Sequence, residues 1–250
     1  MQIKIENLHF SYSDSPTLHS VDLSIDEGKN YAVMGRNGSG KTTLLKILAG
    51  LYKPDSGELK VPEGLEIGFS PEDPELGFFE KTVKKEIEFY PRNLGLDHEK
   101  LAAETLEKIG ISGLQDKLPT ILSSGQQRLV SIASVLSGRP DILLLDEPTH
   151  SLHRKGEKIL GRLLEKFEQT IVFTTHSSDF ALEFADKVIV MDSGTVLKVG
   201  DVRKVLNDDR ILDKAGIRPP GPVAWARKND IDIIPLNAEG AIEILKGGKD

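Results

Sequence analysis

Cysteine is absent from the 250-residue sequence, which excludes disulfides and thiolate metal sites and suits a reducing compartment. Also absent is any apolar run approaching the roughly 18 residues of a membrane span, so any membrane role is expected to be peripheral. The opening Met1-Gln-Ile-Lys-Ile-Glu6 alternates and carries charge, unlike the apolar stretch of a secretory signal, so none is expected. Nor is there an excess of positive charge. The 32 Lys and Arg against 39 Asp and Glu leave a net charge of −7, which argues against a nucleic-acid partner, whose phosphates demand clustered cations. A content of 38% hydrophobic and 28% charged residues describes a soluble chain that can bury a sizeable core. Its length fits one large α/β domain plus an addition.

The most informative stretch is Gly35-Arg-Asn37-Gly38-Ser39-Gly40-Lys41-Thr42-Thr43, which satisfies G-x-x-x-x-G-K-[ST] at each fixed position. The apolar run Asn30 to Met34 before it reads as a buried strand. Leu44, Leu45, Ile47 and Leu48 after it fall at helical spacing and stop at Gly50. In a strand–loop–helix unit, the glycines let successive backbone N–H groups converge without side-chain interference. The helix start adds unpaired N–H groups and a positive dipole end. The expected ligand is a nucleoside triphosphate, with Lys41 on its outer phosphates and the Thr42 hydroxyl on Mg²⁺.

Residues 2–10 and 18–25 alternate as antiparallel strands with one wet face. Tyr12 lies between them, either as a strand packing residue or as an aromatic face for a base. Short strands are expected at 58–61 and 65–69. Leu76, Phe78 and Phe79 then form an apolar cluster that suits either a binding surface or packing under a helix. Residues 82–136 carry three helical patterns and no convincing strand, which reads as a helical insertion at about 82–137. Asp97 and Ser123 are N-cap candidates. Strands at 141–145, 170–174, 187–191 and 195–199 alternate with helices at 155–167 and 180–185, implying a parallel sheet covered on both faces. The breaker Arg218-Pro-Pro-Gly-Pro222 suggests a linker. A strand at 231–234 and a helix at 238–245 would then make a small α+β appendage over 207–250.

Asp146 and Glu147 follow an apolar strand, at the edge where α/β sheets place ligands. Asp146 suits the Mg²⁺ shell opposite Thr42, and Glu147 suits a general base toward water. His176 ends the next strand on the same edge, within reach of a γ-phosphate or the attacking water. Ser123-Ser124-Gly125-Gln126 opens another helix and offers a second anion-binding terminus. One nucleotide has no evident use for both in one subunit. Two subunits meeting head to tail would give each terminus the other's γ-phosphate, so that ATP closes the dimer.

Together these residues resemble the ATP-binding-cassette family. Gly35 to Thr43 is similar to its Walker A, Leu122 to Gln126 to its signature loop and Ile142 to Pro148 to its Walker B. The resemblance implies a P-loop core over residues 1–206, with a mostly parallel sheet, an antiparallel β subdomain and an inserted helical subdomain. It also makes Tyr12 the adenine-stacking aromatic and His176 the switch histidine. The stretches Asp73 to Val83 and Phe89 to Leu96, with Ala215-Gly-Ile-Arg-Pro-Pro220, are similar to the energy-coupling-factor ATPases. That likeness implies a dimeric ATPase on the cytoplasmic face of a membrane, bound to integral membrane subunits of a vitamin or metal-ion importer. The appendage would contribute to dimerisation.

A soluble cassette ATPase of the iron–sulfur assembly type is the alternative. DNA-binding cassette ATPases are excluded, because too little chain separates the two Walker motifs for their coiled coil. Three positions depart from the family pattern. Glu72 stands where a Mg²⁺-sensing Gln is usual, Ser124 where the signature has Gly, and His153 where the D-loop has Asp.

Overall fold

The computed structural model describes residues 2–13 and 15–229, together with 231, 235, 237, 240 and 242. The chain begins with strands β1 (Gln2–Tyr12) and β2 (Ser15–Asp26), then β3 (Asn30–Met34), helix α1 (Lys41–Leu48) and strands β4 (Ser56–Lys60) and β5 (Ile67–Ser70). The first two strands and β4 form an antiparallel sheet in the order β2-β1-β4. The period-two pattern is what permits this, because Ile3, Ile5, Val21, Leu23 and Ile25 all fall on the buried face.

Three helices follow, α2 (Val83–Asn93), α3 (His98–Ile109) and α4 (Ser124–Leu136). The expected insertion is therefore helical. Asp97 accepts from the Lys100 N–H, and Ser123 with Gln126 closes a reciprocal capping box. Pro91 sits within α2 and has no N–H to give the Ile87 carbonyl. The Ser137 hydroxyl at the end of α4 shares its proton between that carbonyl at 2.8 Å and the Ser134 carbonyl of its own helix at 2.7 Å. A defect in one helix thus becomes a tie to its neighbour.

Strand β6 (Ile142–Leu145), helix α5 (Arg154–Leu164), strand β7 (Thr170–Thr174), helix α6 (Ser178–Phe184) and strands β8 (Lys187–Asp192) and β9 (Thr195–Asp201) complete the second sheet, ordered β5-β6-β7-β3-β8-β9. Its central strands are buried on both faces, so alternate residues enter different cores. Ile142 and Leu144 face α1 and the antiparallel sheet, whereas Leu143 and Leu145 face the helical side. Helix α1 is thereby held between the two sheets, which fixes the glycine loop at its start.

Two features depart from the sequence expectation. Strand β9 runs antiparallel to β8, because Ser193 and Gly194, both at positive φ, make a two-residue turn too short for a crossover. The proline-rich stretch at 218–222 is a helix start rather than a linker. Pro220 is the N-cap of α9 (Gly221–Lys228), and Pro222 occupies its first turn, where a missing N–H costs nothing. Helices α7 (Val202–Val205) and α8 (Asp209–Ala215) precede it. Leu206, Leu212, Ala215 and Val223 enter the same core as the helical face of the sheet, so the chain stays on the main body through α9. The strand expected at 231–234 and the helix expected at 238–245 lie largely outside the described residues.

Ser137→Ala should cost about 1–2 kcal/mol in urea unfolding, because it leaves the buried Ile87 carbonyl unpaired. Pro91→Ala in that background should restore part of the loss by returning an N–H to the same carbonyl. Equal stability of the single and double variants would contradict the tie.

Candidate active site

The loop from Gly35 to Gly40 joins β3 to α1 and is built around close backbone approach. A Cβ on Gly35 would stand 2.2 Å from the Met191 carbonyl oxygen, and one on Gly40, at φ +100°, would stand 2.5 Å from Leu18 Cδ2. Gly40 is also the N-cap of α1 and offers no side-chain cap, so the first N–H groups of that helix have no intrahelical partner. Helices α2, α3, α4 and α6 by contrast begin under a Thr, Asp or Ser side chain. Ser39 Oγ is buried without a hydrogen-bond partner. The Lys41 ammonium folds back on the Gly35 and Arg36 carbonyls at 3.0 and 3.1 Å. Burial lowers its pKa, and Glu147, Asp146 and Glu72 oppose that shift. Unpaired donors and a desolvated cation at a helix start fit a polyphosphate.

The parallel register sets Asp146 and Glu147 beside this loop, past the ends of β6 and β7. Asp146 Oδ1 accepts from the Thr42 hydroxyl at 3.0 Å and from the Thr174 hydroxyl at 2.7 Å. Thr174 Oγ1 in turn accepts the Glu147 N–H at 2.6 Å. A hydroxyl and a carboxylate side by side are hard oxygen donors. They suit Mg²⁺, which usually takes few protein ligands and fills its shell with phosphate oxygens and water.

Glu147 is only 8% exposed and holds φ at +41°. Burial pushes its carboxyl up to about 7; Lys41 opposes this, and Asp146 and Glu72 add to it. His176 Nε2 lies 3.2 Å from Glu147 Oε1, within ion-pair distance. Burial lowers the imidazole's pKa, and Lys41 adds to that effect. A carboxyl that titrates near neutrality and faces a cleft suits proton abstraction from water.

The cleft, about 710 Å³, is lined by Tyr12, Thr17, Asn37, Gly38, Gly40, Lys41, Thr42 and Thr43, with Glu72, Glu147, His150 and His176 across from them. Tyr12 Oη and Thr43 Oγ1 share a hydrogen bond of 3.2 Å. The Tyr12 ring stands edge-on to Phe10 and Tyr52 at 5.0 and 5.4 Å and is 41% exposed, which leaves ring surface at the cleft. Ser123, Ser124, Gly125 and Gln126 do not line this cleft. Ser124 borders a neighbouring cavity of about 480 Å³, together with Thr42, Glu72 and Asp146. Ser123 Oγ accepts the Gln126 N–H, so its hydroxyl proton stays available to donate.

Several site residues escaped the sequence reading. Thr174 looked like one more β-branched strand residue. Arg128 carries no motif, yet it is 3% exposed and donates to the Pro71 carbonyl at 2.6 Å and to the Glu72 carbonyl. It thereby fixes the loop that carries Glu72. His150 lies in the D-loop-like stretch after the Walker-B-like run, where only His153 stood out. Leu76, Phe78 and Phe79 divide, with Phe78 packed against the core and Leu76 and Phe79 74% and 72% exposed.

A family model described as ABC transporter matches residues 18–150, and one of an AAA domain matches residues 118–183. The energy-coupling factor transporter ATP-binding protein EcfA2 of Caldanaerobacter subterraneus is 36% identical over 91% of this chain and 89% of its own length. The protein of the same name from Clostridium perfringens is 37% identical over 88% and 87%. Among solved structures, cbiO1 of Clostridium perfringens, described as part of the ABC transporter complex cbiONQ, superposes with a TM-score of 0.76. It is 30% identical and covers 90% of this chain and 98% of its own. An ATP-binding cassette solved as a dimer in a post-hydrolysis state with ADP and Pi gives 0.72 at 28% identity, covering 80% of this chain and 99% of its own.

A carboxyl held at about 7 in the fold, against an ordinary 4.5, costs the folded state stability as pH rises between those values. Glu147→Gln removes that cost. At about pH 8 the variant should be more stable than the parent by up to about 3 kcal/mol, and the gap should close toward about pH 5. Calorimetric melting across that range checks this, and a gap independent of pH would contradict it.

Proposed function

Because the chain belongs to the ABC transporter family of ATP-hydrolysing cassettes, we propose that it is the ATPase subunit of an energy-coupling-factor type importer. The observation that carries the reading is the Lys41–Thr42–Asp146–Glu147–His176 cluster at one sheet edge, in a chain whose full-length relatives are named for that transporter class. Those names favour the importer over the soluble iron–sulfur assembly type.

ATP is the substrate. Gly35, Asn37, Gly38, Ser39 and Gly40 offer the backbone cradle, Lys41 meets the outer phosphates, Thr43 lies beside them, and Tyr12 stacks on the base. Thr42 and Asp146 would hold Mg²⁺, with Glu72 lining the cleft beside them. The ion supplies charge neutralisation on the phosphates. Glu147 draws the proton from the attacking water, and its raised pKa lets it hold that proton at neutral pH. His176 stands against the Glu147 carboxylate and orients the water side of the cleft.

A second subunit, identical or homologous, completes the site. The start of α4, from Ser123 to Gln126, does not line its own subunit's cleft and would present its free donors to the partner's γ-phosphate. ATP then closes the dimer, and hydrolysis opens it. Residues 1–206 form the cassette in this reading, with the helical subdomain at about 82–137, and residues 207–250, which pack onto its core through α9, support dimerisation. The exposed Leu76 and Phe79, with Phe79 stacked on Phe89 at 5.4 Å, offer apolar anchors to integral membrane subunits. None of the helices among the described residues is long and apolar enough to cross a membrane, which accords with a peripheral position on the cytoplasmic face.

Lys41→Ala should weaken ATP binding at least about tenfold in calorimetry. Glu147→Gln should bind ATP, accumulate as dimers in light scattering and hydrolyse about 100-fold more slowly or worse. Unchanged turnover would remove Glu147 as the base. For the importer assignment, Leu76→Asp/Phe79→Asp should abolish co-purification with a small integral membrane protein while soluble ATPase activity persists. Failure of the parent chain to retain any such protein would refute the assignment.

A further inference from the structure

The cleft holds two carboxylate–imidazole pairs, of which the reading above uses one. His176 Nε2 lies 3.2 Å from Glu147 Oε1. Opposite, His150 Nδ1 lies 3.6 Å from Glu72 Oε1. All four side chains line the same cavity as Lys41 and Thr42. The two imidazoles also sense each other, since His150 contributes to lowering the His176 pKa.

Both backbones of the second pair are pinned. Buried Arg128 donates to the carbonyls of Pro71 and Glu72. The His150 N–H donates to the Glu147 carbonyl at 2.9 Å, closing the turn that leads away from Glu147. The side chains are less constrained, at 61% and 50% exposed. Among the described residues, His150 is the side chain within ion-pair distance of the Glu72 carboxylate. That carboxylate shares the cleft with Glu147, of its own charge sign, and with Lys41, whose ammonium an incoming polyphosphate would take up. Without a donor beside it, side-chain entropy and the charge of Glu147 and of a bound polyphosphate both favour turning it out to solvent. A carboxylate has no proton to offer, whereas an imidazole N–H at 3.6 Å is a few tenths of an ångström short of a hydrogen bond.

We propose that His150 is a positioning residue of this ATPase, holding the Glu72 carboxylate at the nucleotide cleft as His176 accompanies Glu147. The inference rests on the nucleotide-site reading. It assigns a role to a histidine of the D-loop-like stretch Thr149 to His153 for which the family resemblance implies none.

The test compares His150→Ala, His150→Gln, Glu72→Ala and the Glu72→Ala/His150→Ala double variant, with Lys41→Ala as control. Turnover is split into kcat and KM, and a fluorescent ATP analogue reports affinity with and without Mg²⁺. His150→Ala should lower kcat about tenfold and reduce the gain in affinity that Mg²⁺ confers, while Mg²⁺-free affinity stays within about twofold. His150→Gln, which keeps an N–H donor, should recover most of both. The double variant should be no worse than Glu72→Ala alone, because the histidine acts through the carboxylate. Parent-like behaviour of His150→Ala, failure of the Gln rescue, or losses that multiply in the double variant would each overturn the proposal. If Lys41→Ala binds the analogue as the parent does, the nucleotide-site reading falls first, and this proposal with it.

Discussion

One carboxylate oxygen organises the active edge of this protein. Asp146 Oδ1 accepts from Thr42 at the start of α1 and from Thr174 at the end of β7, and so joins the phosphate loop to two strands of the parallel sheet. Thr174 also receives the Glu147 N–H, which fixes the Glu147 backbone relative to Asp146. These bonds form only if β3, β6 and β7 end together. Their register, with Val33 opposite Thr174 and Leu145 opposite Phe173, sees to that. A slip of one residue in any of them would carry Asp146 or Thr174 to the wrong face.

The same edge is where the fold gives up stability. Two adjacent carboxylates, a desolvated ammonium and a residue at positive φ lie at the tip of strands that are otherwise mostly apolar. The raised Glu147 carboxyl and the lowered Lys41 ammonium both reflect charge held out of water. Such groups persist because the surrounding sheet overdetermines their position, as functional sites commonly require. The apolar contacts of α1 with both sheets supply the rigidity that holds the glycine loop open.

The helical region bears on the site through one buried cation. Arg128 on α4 grips the carbonyls at Pro71 and Glu72, so a shift of α4 must also move the loop at the rim of the cleft. Gln127, its neighbour, donates to Glu75 at 2.8 Å, next to the exposed Leu76. The helix whose start carries the signature-like residues is therefore mechanically linked both to the rim of the cleft and to the exposed apolar residues beside it.

What the sequence determined by itself was local. The glycine loop, the apolar strand before Asp146, the alternating opening strands and the caps at Asp97 and Ser123 are each written in a few neighbouring residues, because backbone sterics, periodicity and capping act over short spans. Tertiary structure decided the rest. A proline-rich run that reads as a linker became a helix start, since Leu212, Ala215 and Val223 could be buried against the existing core. Arg128, Thr174 and His150 carry no local signature. Their partners lie 56, 28 and 78 residues away in the chain, at Glu72, Asp146 and Glu72. Only the packing of sheet against helices brings those groups within a few ångströms, and electrostatics acts on that distance rather than on separation along the chain.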